Sequence, residues 1–127
     1  MDQKILIIDD DKIIRAITSK MIQFCNQGSP VPLQFENGLE AYKFLTLEEN
    51  KATKYVLFLD INMPVMDGWT LLEKLEDEQL MTGKLIYLYT SSVDQEDHKK
   101  GMSNKYVKDI ITKPLTIDKL KKINFSF

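Results

Sequence analysis

Acids, a hydroxyl and an amine stand where successive apolar runs of this chain end. Asp9-Asp10-Asp11 follow the run Ile5 to Ile8, and Asp60 closes the run Leu57-Phe58-Leu59. Thr90-Ser91 follow a third such run and Lys113-Pro114 a fourth. A carboxylate at the C-terminal end of a buried strand is where open α/β folds place their chemistry. Carboxylates brought together repel unless a cation compensates them. Mg2+, or Mn2+ in its place, suits a few carboxylates, a carbonyl and several waters. On that reading Asp10 and Asp60 are direct metal ligands, the backbone carbonyl of Asn62 is a third, and Asp9 acts through water. Either Asp9-Asp10 or Asp10-Asp11 can be the working pair. The position of the apolar run favours the first and leaves Asp11 as a helix cap. An acid nucleophile, a metal, a hydroxyl and an ammonium form a phosphoryl-transfer set. The metal and Lys113 neutralise phosphoryl oxygens, Thr90 donates a hydrogen bond, and Asp60 attacks in line.

These residues need a scaffold that brings distant strand ends together. The spacing predicts strands at Lys4 to Ile8, Pro32 to Glu36, Tyr55 to Leu59, Lys84 to Tyr89 and Lys108 to Thr112. Helices are predicted from Lys12 to about Asn26, where Ile13, Ile14, Ile17, Met21 and Ile22 share one face. Further helices are expected after Asn37-Gly38, around Trp69, Leu72 and Leu75, from Asp94 to about Met102, and around Ile117, Leu120 and Ile123. Glu48 to Lys54 reads as a polar connection, and Thr90 to Val93 as a loop. Strands alternating with helices imply βαβ units and a parallel sheet covered on both faces. The expected fold is α/β, a doubly wound five-stranded parallel sheet of order 2-1-3-4-5, a flavodoxin-like three-layer sandwich. That order sets the first and third strands side by side at the switch point.

Composition narrows the alternatives. The 127 residues suit one domain, 43% hydrophobic and 28% charged, with a net charge of -2. That balance gives no bias toward nucleic acid or membrane. A single cysteine, Cys25, and a single histidine, His98, exclude an internal disulfide framework and a Cys/His zinc site. No apolar stretch reaches the roughly 20 residues that span a bilayer, so a cytoplasmic location is expected. His98 reads as a solvated surface residue, Cys25 as partly buried core and Trp69 as helix-face packing. The lysine-rich stretch from Lys99 to Lys122 reads as a solvated face.

At this point the chain resembles the response-regulator receiver domains of two-component signalling, similar in size to the stand-alone chemotaxis-type regulators. The matching residues are Asp9-Asp10, Asp60 with Met63-Pro64 and Asp67-Gly68, Thr90-Ser91, and Lys113-Pro114. They occur in order after successive strands, over essentially the whole chain. The resemblance implies that residues 1–127 form a single receiver domain with no output domain. It implies phosphorylation of Asp60 by a histidine kinase or histidine phosphotransfer protein. The phosphoryl group is then hydrolysed or passed on, so the chain catalyses its own transfer without being a dedicated enzyme. It also implies a cis bond between Lys113 and Pro114.

One position departs from that pattern. Receivers commonly carry Tyr or Phe three residues before the lysine, and here the residue is Ile110. Isoleucine brings neither ring nor hydroxyl and is stiff at its first torsion. Any switching is then expected in the Thr90 to Val93 loop and the polar segment beyond it. Ile110 lends some support to a rival reading, a phosphorylation-independent interaction module on the same fold. A haloacid-type phosphatase needs a second aspartate where Asn62 stands. A flavodoxin needs a hydroxyl- and glycine-rich loop where Asp9-Asp10-Asp11 stand. The expected output is a contact with an unknown downstream protein or onward phosphotransfer, with Phe125 and Phe127 as candidate contact residues. Direct nucleic-acid binding is not expected.

Overall fold

The computed structural model describes residues 4–27, 29–91 and 95–123. Strands are β1 (Ile5–Ile8), β2 (Leu33–Phe35), β3 (Tyr55–Leu59), β4 (Lys84–Thr90) and β5 (Val107–Thr112). Helices are α1 (Lys12–Cys25), α2 (Gly38–Leu45), α3 (Glu48–Lys51), α4 (Gly68–Asp77), α5 (Gln95–Ser103) and α6 (Ile117–Lys121). The strands form one parallel sheet in the order β2-β1-β3-β4-β5, as expected. Three predicted features touch residues outside those described: the Asp94 helix start, the end of the Thr90 to Val93 loop, and Phe125 with Phe127.

Alternation along the strands sorts the core into two layers. Ile5, Ile7, Val56, Phe58, Tyr87 and Tyr89 meet α1 through Ile22 and α6 through Leu120. Leu6, Ile8, Leu57, Leu59, Ile86 and Leu88 face the layer of α2 and α4, with Leu45, Leu71 and Leu75. The central strands are buried on both sides, which is why β1 and β3 read as unbroken apolar runs. None of the helices among the described residues is long and apolar enough to cross a membrane.

Two local features differ from expectation. The polar connection after α2 contains the one-turn helix α3, which has no apolar period to betray it. Polar anchors hold it instead: Asn50 donates to the Phe44 carbonyl at 2.8 Å and accepts from the Tyr55 hydroxyl at 2.9 Å. His98 is half-buried rather than solvated. Its helix, α5, lies tight on β5 because Gly101 has no side chain. A Cβ there would stand 2.7 Å from Ile110 Cδ1 and 2.8 Å from Leu88 Cδ1.

Candidate functional site

Main-chain bonds carry the strand ends to one edge. The Asp60 N–H donates to the Ile8 carbonyl at 2.9 Å, Asp9 N–H to Phe35 at 3.1 Å, and Lys113 N–H to Thr90 at 2.9 Å. Each chemistry-bearing residue therefore continues a ladder and is aimed by it. Between them lies a cleft of about 540 Å³, lined by Asp9, Asp10, Asp60, Asn62, Ser91 and Lys113 on its polar side. Ile14, Ile17 and Met21 of α1, with Tyr89 and Leu115, line the other side.

Asp9 is fully buried and held from three directions. One carboxylate oxygen accepts the Asp11 N–H at 2.9 Å, the other accepts Lys113 Nζ at 2.6 Å, and its carbonyl accepts Arg15 Nη1 at 2.6 Å. Asp10 is exposed at the cleft mouth. Asp11 caps α1, with Oδ1 accepting the N–H groups of Ile13 and Ile14. Of the two registers left open by the acid run, this geometry groups Asp9, Asp10 and Asp60. One carboxylate oxygen from each lies within 4.8 Å of the other two. Lys113, joined to Pro114 by a cis bond, donates to Asp60 Oδ2 at 3.2 Å. Asp60 Oδ1 accepts a long 3.4 Å bond from the Asn62 N–H. Thr90 is fully buried at the end of β4, and Ser91 is the residue that lines the cleft there.

The loop after Asp60 is braced at both ends. The Gly68 N–H donates to the Ile61 carbonyl at 2.9 Å, and the Gly38 N–H to the Met66 carbonyl at 3.0 Å. Between these ties the Met66 N–H reaches back to the Pro64 carbonyl at 2.8 Å, which forces Val65 to φ 69°. A β-branched residue in the left-handed region stores about 1–3 kcal/mol of strain. Asp67 then caps α4 through a 2.8 Å bond from the Thr70 N–H.

The electrostatics favour a cation. Burial raises the Asp60 pKa above the ordinary carboxylate value; Lys113 opposes that shift and Asp9 adds to it by repulsion. Burial works to lower the Lys113 pKa, but its hydrogen bond to Asp9 and the attraction of both carboxylates outweigh this, and the net shift is upward. One ammonium thus leaves Asp60 under-compensated among three clustered acids. An all-oxygen donor set with a solvent-open side fits a hard divalent ion that keeps several waters.

A pH dependence follows. Because the folded-state pKa of Asp60 lies above its unfolded value, the native metal-free protein keeps this proton to higher pH than the unfolded chain does. The resulting contribution is complete below the unfolded pKa and is lost as pH rises through the folded one. A cation bound among these acids would take the proton's place. Thermal stabilisation by Mg2+ is therefore expected to be larger near neutrality than at mildly acidic pH. Unfolding scans with and without Mg2+ at the two pH values measure it, and equal shifts at both would exclude the competition.

The sequence reading missed Tyr89, Thr18 and Arg15, all of which bear on this cleft. Tyr89 and Thr18 carried the signals of ordinary core residues, and Arg15 those of a helix surface.

Comparisons with known proteins converge. A family profile described as response regulator receiver domain matches residues 5–124. The chain is 30% identical to a chemotaxis protein CheY homolog of Campylobacter jejuni, over 93% of this chain and 86% of that protein. It is 28% identical to the two-component response regulator ARR10 of Arabidopsis thaliana over 94% of this chain, but spans only 20% of that protein's length. The fold is that of a two-component response regulator from Cytophaga hutchinsonii, at TM-score 0.83 and 24% identity, covering 94% of this chain and 92% of that one.

Proposed function

The chain belongs to the response regulator receiver-domain family, and from that premise we propose that it is a phosphoacceptor switch with Asp60 as the acceptor. Receiver domains are signalling switches rather than dedicated enzymes. The observation that carries the reading is the buried Asp60 carboxylate, which shares one ammonium with Asp9 at the floor of an open cleft.

The donor is a histidine kinase or histidine phosphotransfer protein bearing a phosphoimidazolium. A carboxylate oxygen of Asp60 attacks phosphorus, the new P–O bond forms as the P–N bond breaks, and the imidazole leaves as the neutral base. Asp9, Asp10, Asp60 and the Asn62 carbonyl would hold a Mg2+ ion, which supplies charge neutralisation for phosphoryl oxygens. Lys113 supplies a second positive charge and Thr90 or the adjoining Ser91 a hydroxyl. Hydrolysis reverses the modification when water replaces the histidine. On α1, Ile13, Ile17 and Phe24 are exposed, and Ile17 also lines the cleft. That stripe is continuous with the cleft lining at Ile14 and Met21, and it suits the apolar side of a histidine-bearing helix.

The test is incubation with a small acyl phosphate and Mg2+, followed by intact mass and peptide mapping. One phosphoryl group on the peptide containing Asp60 is the expected result. No mass gain, with Mg2+ binding demonstrated, would favour the phosphorylation-independent module, which Ile110 supports by filling the notch over Gly101 with an aliphatic side chain.

A further inference from the structure

Lys113 is offered two carboxylates, and the contacts are unequal: 2.6 Å to Asp9 and 3.2 Å to Asp60. Asp9 is also the more deeply buried of the two. A lysine is a point charge on a flexible four-carbon stem. Both carboxylates attract it, so these two contacts leave its resting place between them loosely defined, and a third contact is needed to fix it.

The face of Tyr89 is in that place. Its ring centroid lies 4.8 Å from Lys113 Nζ, within the range of a cation–π contact. The ring is itself fixed. Its hydroxyl pairs with Thr18 Oγ1 at 2.6 Å, and both residues are 1% exposed. Phe58, two residues before Asp60 on the adjacent strand, meets the same ring edge-on, with centroids 6.4 Å apart and planes at 89°. Tyr89 thus stands between α1, β3 and the ammonium, and it lines the cleft.

We propose that Tyr89 is a positioning residue whose ring, pinned by Thr18, holds the Lys113 ammonium within reach of a phosphoryl group on Asp60. This rests on the reading of Asp60 as the phosphoacceptor. The hydroxyl serves the ring rather than the reaction, because its hydrogen bond is spent on Thr18. Substitution should therefore act through Lys113.

The test compares wild type, Tyr89→Met and Tyr89→Phe. Phosphorylation by a small acyl phosphate is followed as rate against donor concentration at saturating Mg2+. A cation–π contact at a desolvated site corresponds to a rate loss on the order of tenfold, expected for Tyr89→Met in the maximal rate at saturating Mg2+. Tyr89→Phe keeps the ring and is expected to recover most of that loss. An unchanged rate in Tyr89→Met, or an equal loss in both variants, would overturn the proposal. A second measurement does not depend on turnover or on the variant folding. In wild type, the Lys113 ε-methylene protons should be shifted upfield by the ring current, and an unshifted resonance would also overturn it. If wild type takes up no phosphoryl group while the ring-current shift is present, the phosphoacceptor reading fails and the placement of Lys113 by Tyr89 stands.

Discussion

Asp60→Asn is expected to abolish phosphoryl uptake and to stabilise the metal-free fold. The first effect is one of nucleophilicity. An amide oxygen keeps the shape of the carboxylate, but it is neutral and forms no stable acyl phosphate, so the mass gain should vanish rather than diminish. The second effect has opposing parts. The substitution removes the 3.2 Å contact with Lys113, yet Lys113 keeps the shorter one with Asp9. It also removes a charge that burial and Asp9 disfavour. The raised pKa of Asp60 shows which side wins, since the folded environment as a whole penalises its ionised form. The thermal midpoint without metal should rise above wild type near neutral pH, and the Mg2+-induced shift should shrink. Intact mass and unfolding scans on the same samples measure both. Residual labelling of Asp60→Asn would move the acceptor elsewhere, and a lower midpoint would mean that the Lys113 contact dominates.

Much of this site was legible because charged residues interrupt apolar runs. Asp9, Asp60 and Lys113 each follow a run of strand residues, and strand ends in a parallel sheet share an edge. Asp11 was legible as a cap because it stands just before a helical period begins. Tyr89 was not, since an aromatic in an apolar strand has the same signature whether or not it touches the site. What singles it out is alternation, which sets it on the Phe58 face of the sheet, together with a lysine that follows another strand. Neither relation is local in sequence. Helix α3 was hidden for a different reason: side-chain bonds from Asn50, rather than a buried stripe, hold it in place.

Ile110 was legible as a departure from the receiver pattern, and the fold gives it a physical setting. It is half-buried and packs beside Leu88 under the bare backbone of Gly101. An aromatic ring there would compete with α5 for the same space. A second tie joins α5 to the site loop's own helix. Trp69, one residue into α4, donates through its indole N–H to Asp97 at 3.3 Å, and Lys100 lies 4.7 Å from its ring centroid. This clasp joins α4 to α5 directly, without an aromatic ring from β5.

Gly68→Ala is expected to destabilise that arrangement markedly and to slow phosphorylation. A Cβ at Gly68 would stand 2.5 Å from the Asp60 carbonyl oxygen and 3.0 Å from Ile61 Cα. Both are backbone atoms, so no rotamer change relieves the overlap. Either α4 must back away or the Asp60 peptide must shift, and the 2.9 Å bond from the Gly68 N–H to Ile61 resists both. Overpacking typically costs about 1–3 kcal/mol, and a backbone-on-backbone clash belongs at the upper end of that range. Gly101→Ala supplies the contrast. Its nearest contacts, at 2.7 and 2.8 Å, are the methyl tips of Ile110 and Leu88, which can turn aside, so a cost nearer to about 1 kcal/mol is expected. The two variants should also differ in function. A displaced Asp60 peptide moves the proposed nucleophile itself, and a misplacement of about 1 Å can slow a reaction by about 100-fold. Denaturant titration and phosphorylation rates on both variants give the comparison. A Gly68→Ala protein no less stable than Gly101→Ala, or one that is phosphorylated at the wild-type rate, would show that the loop after Asp60 yields more readily than its bracing implies.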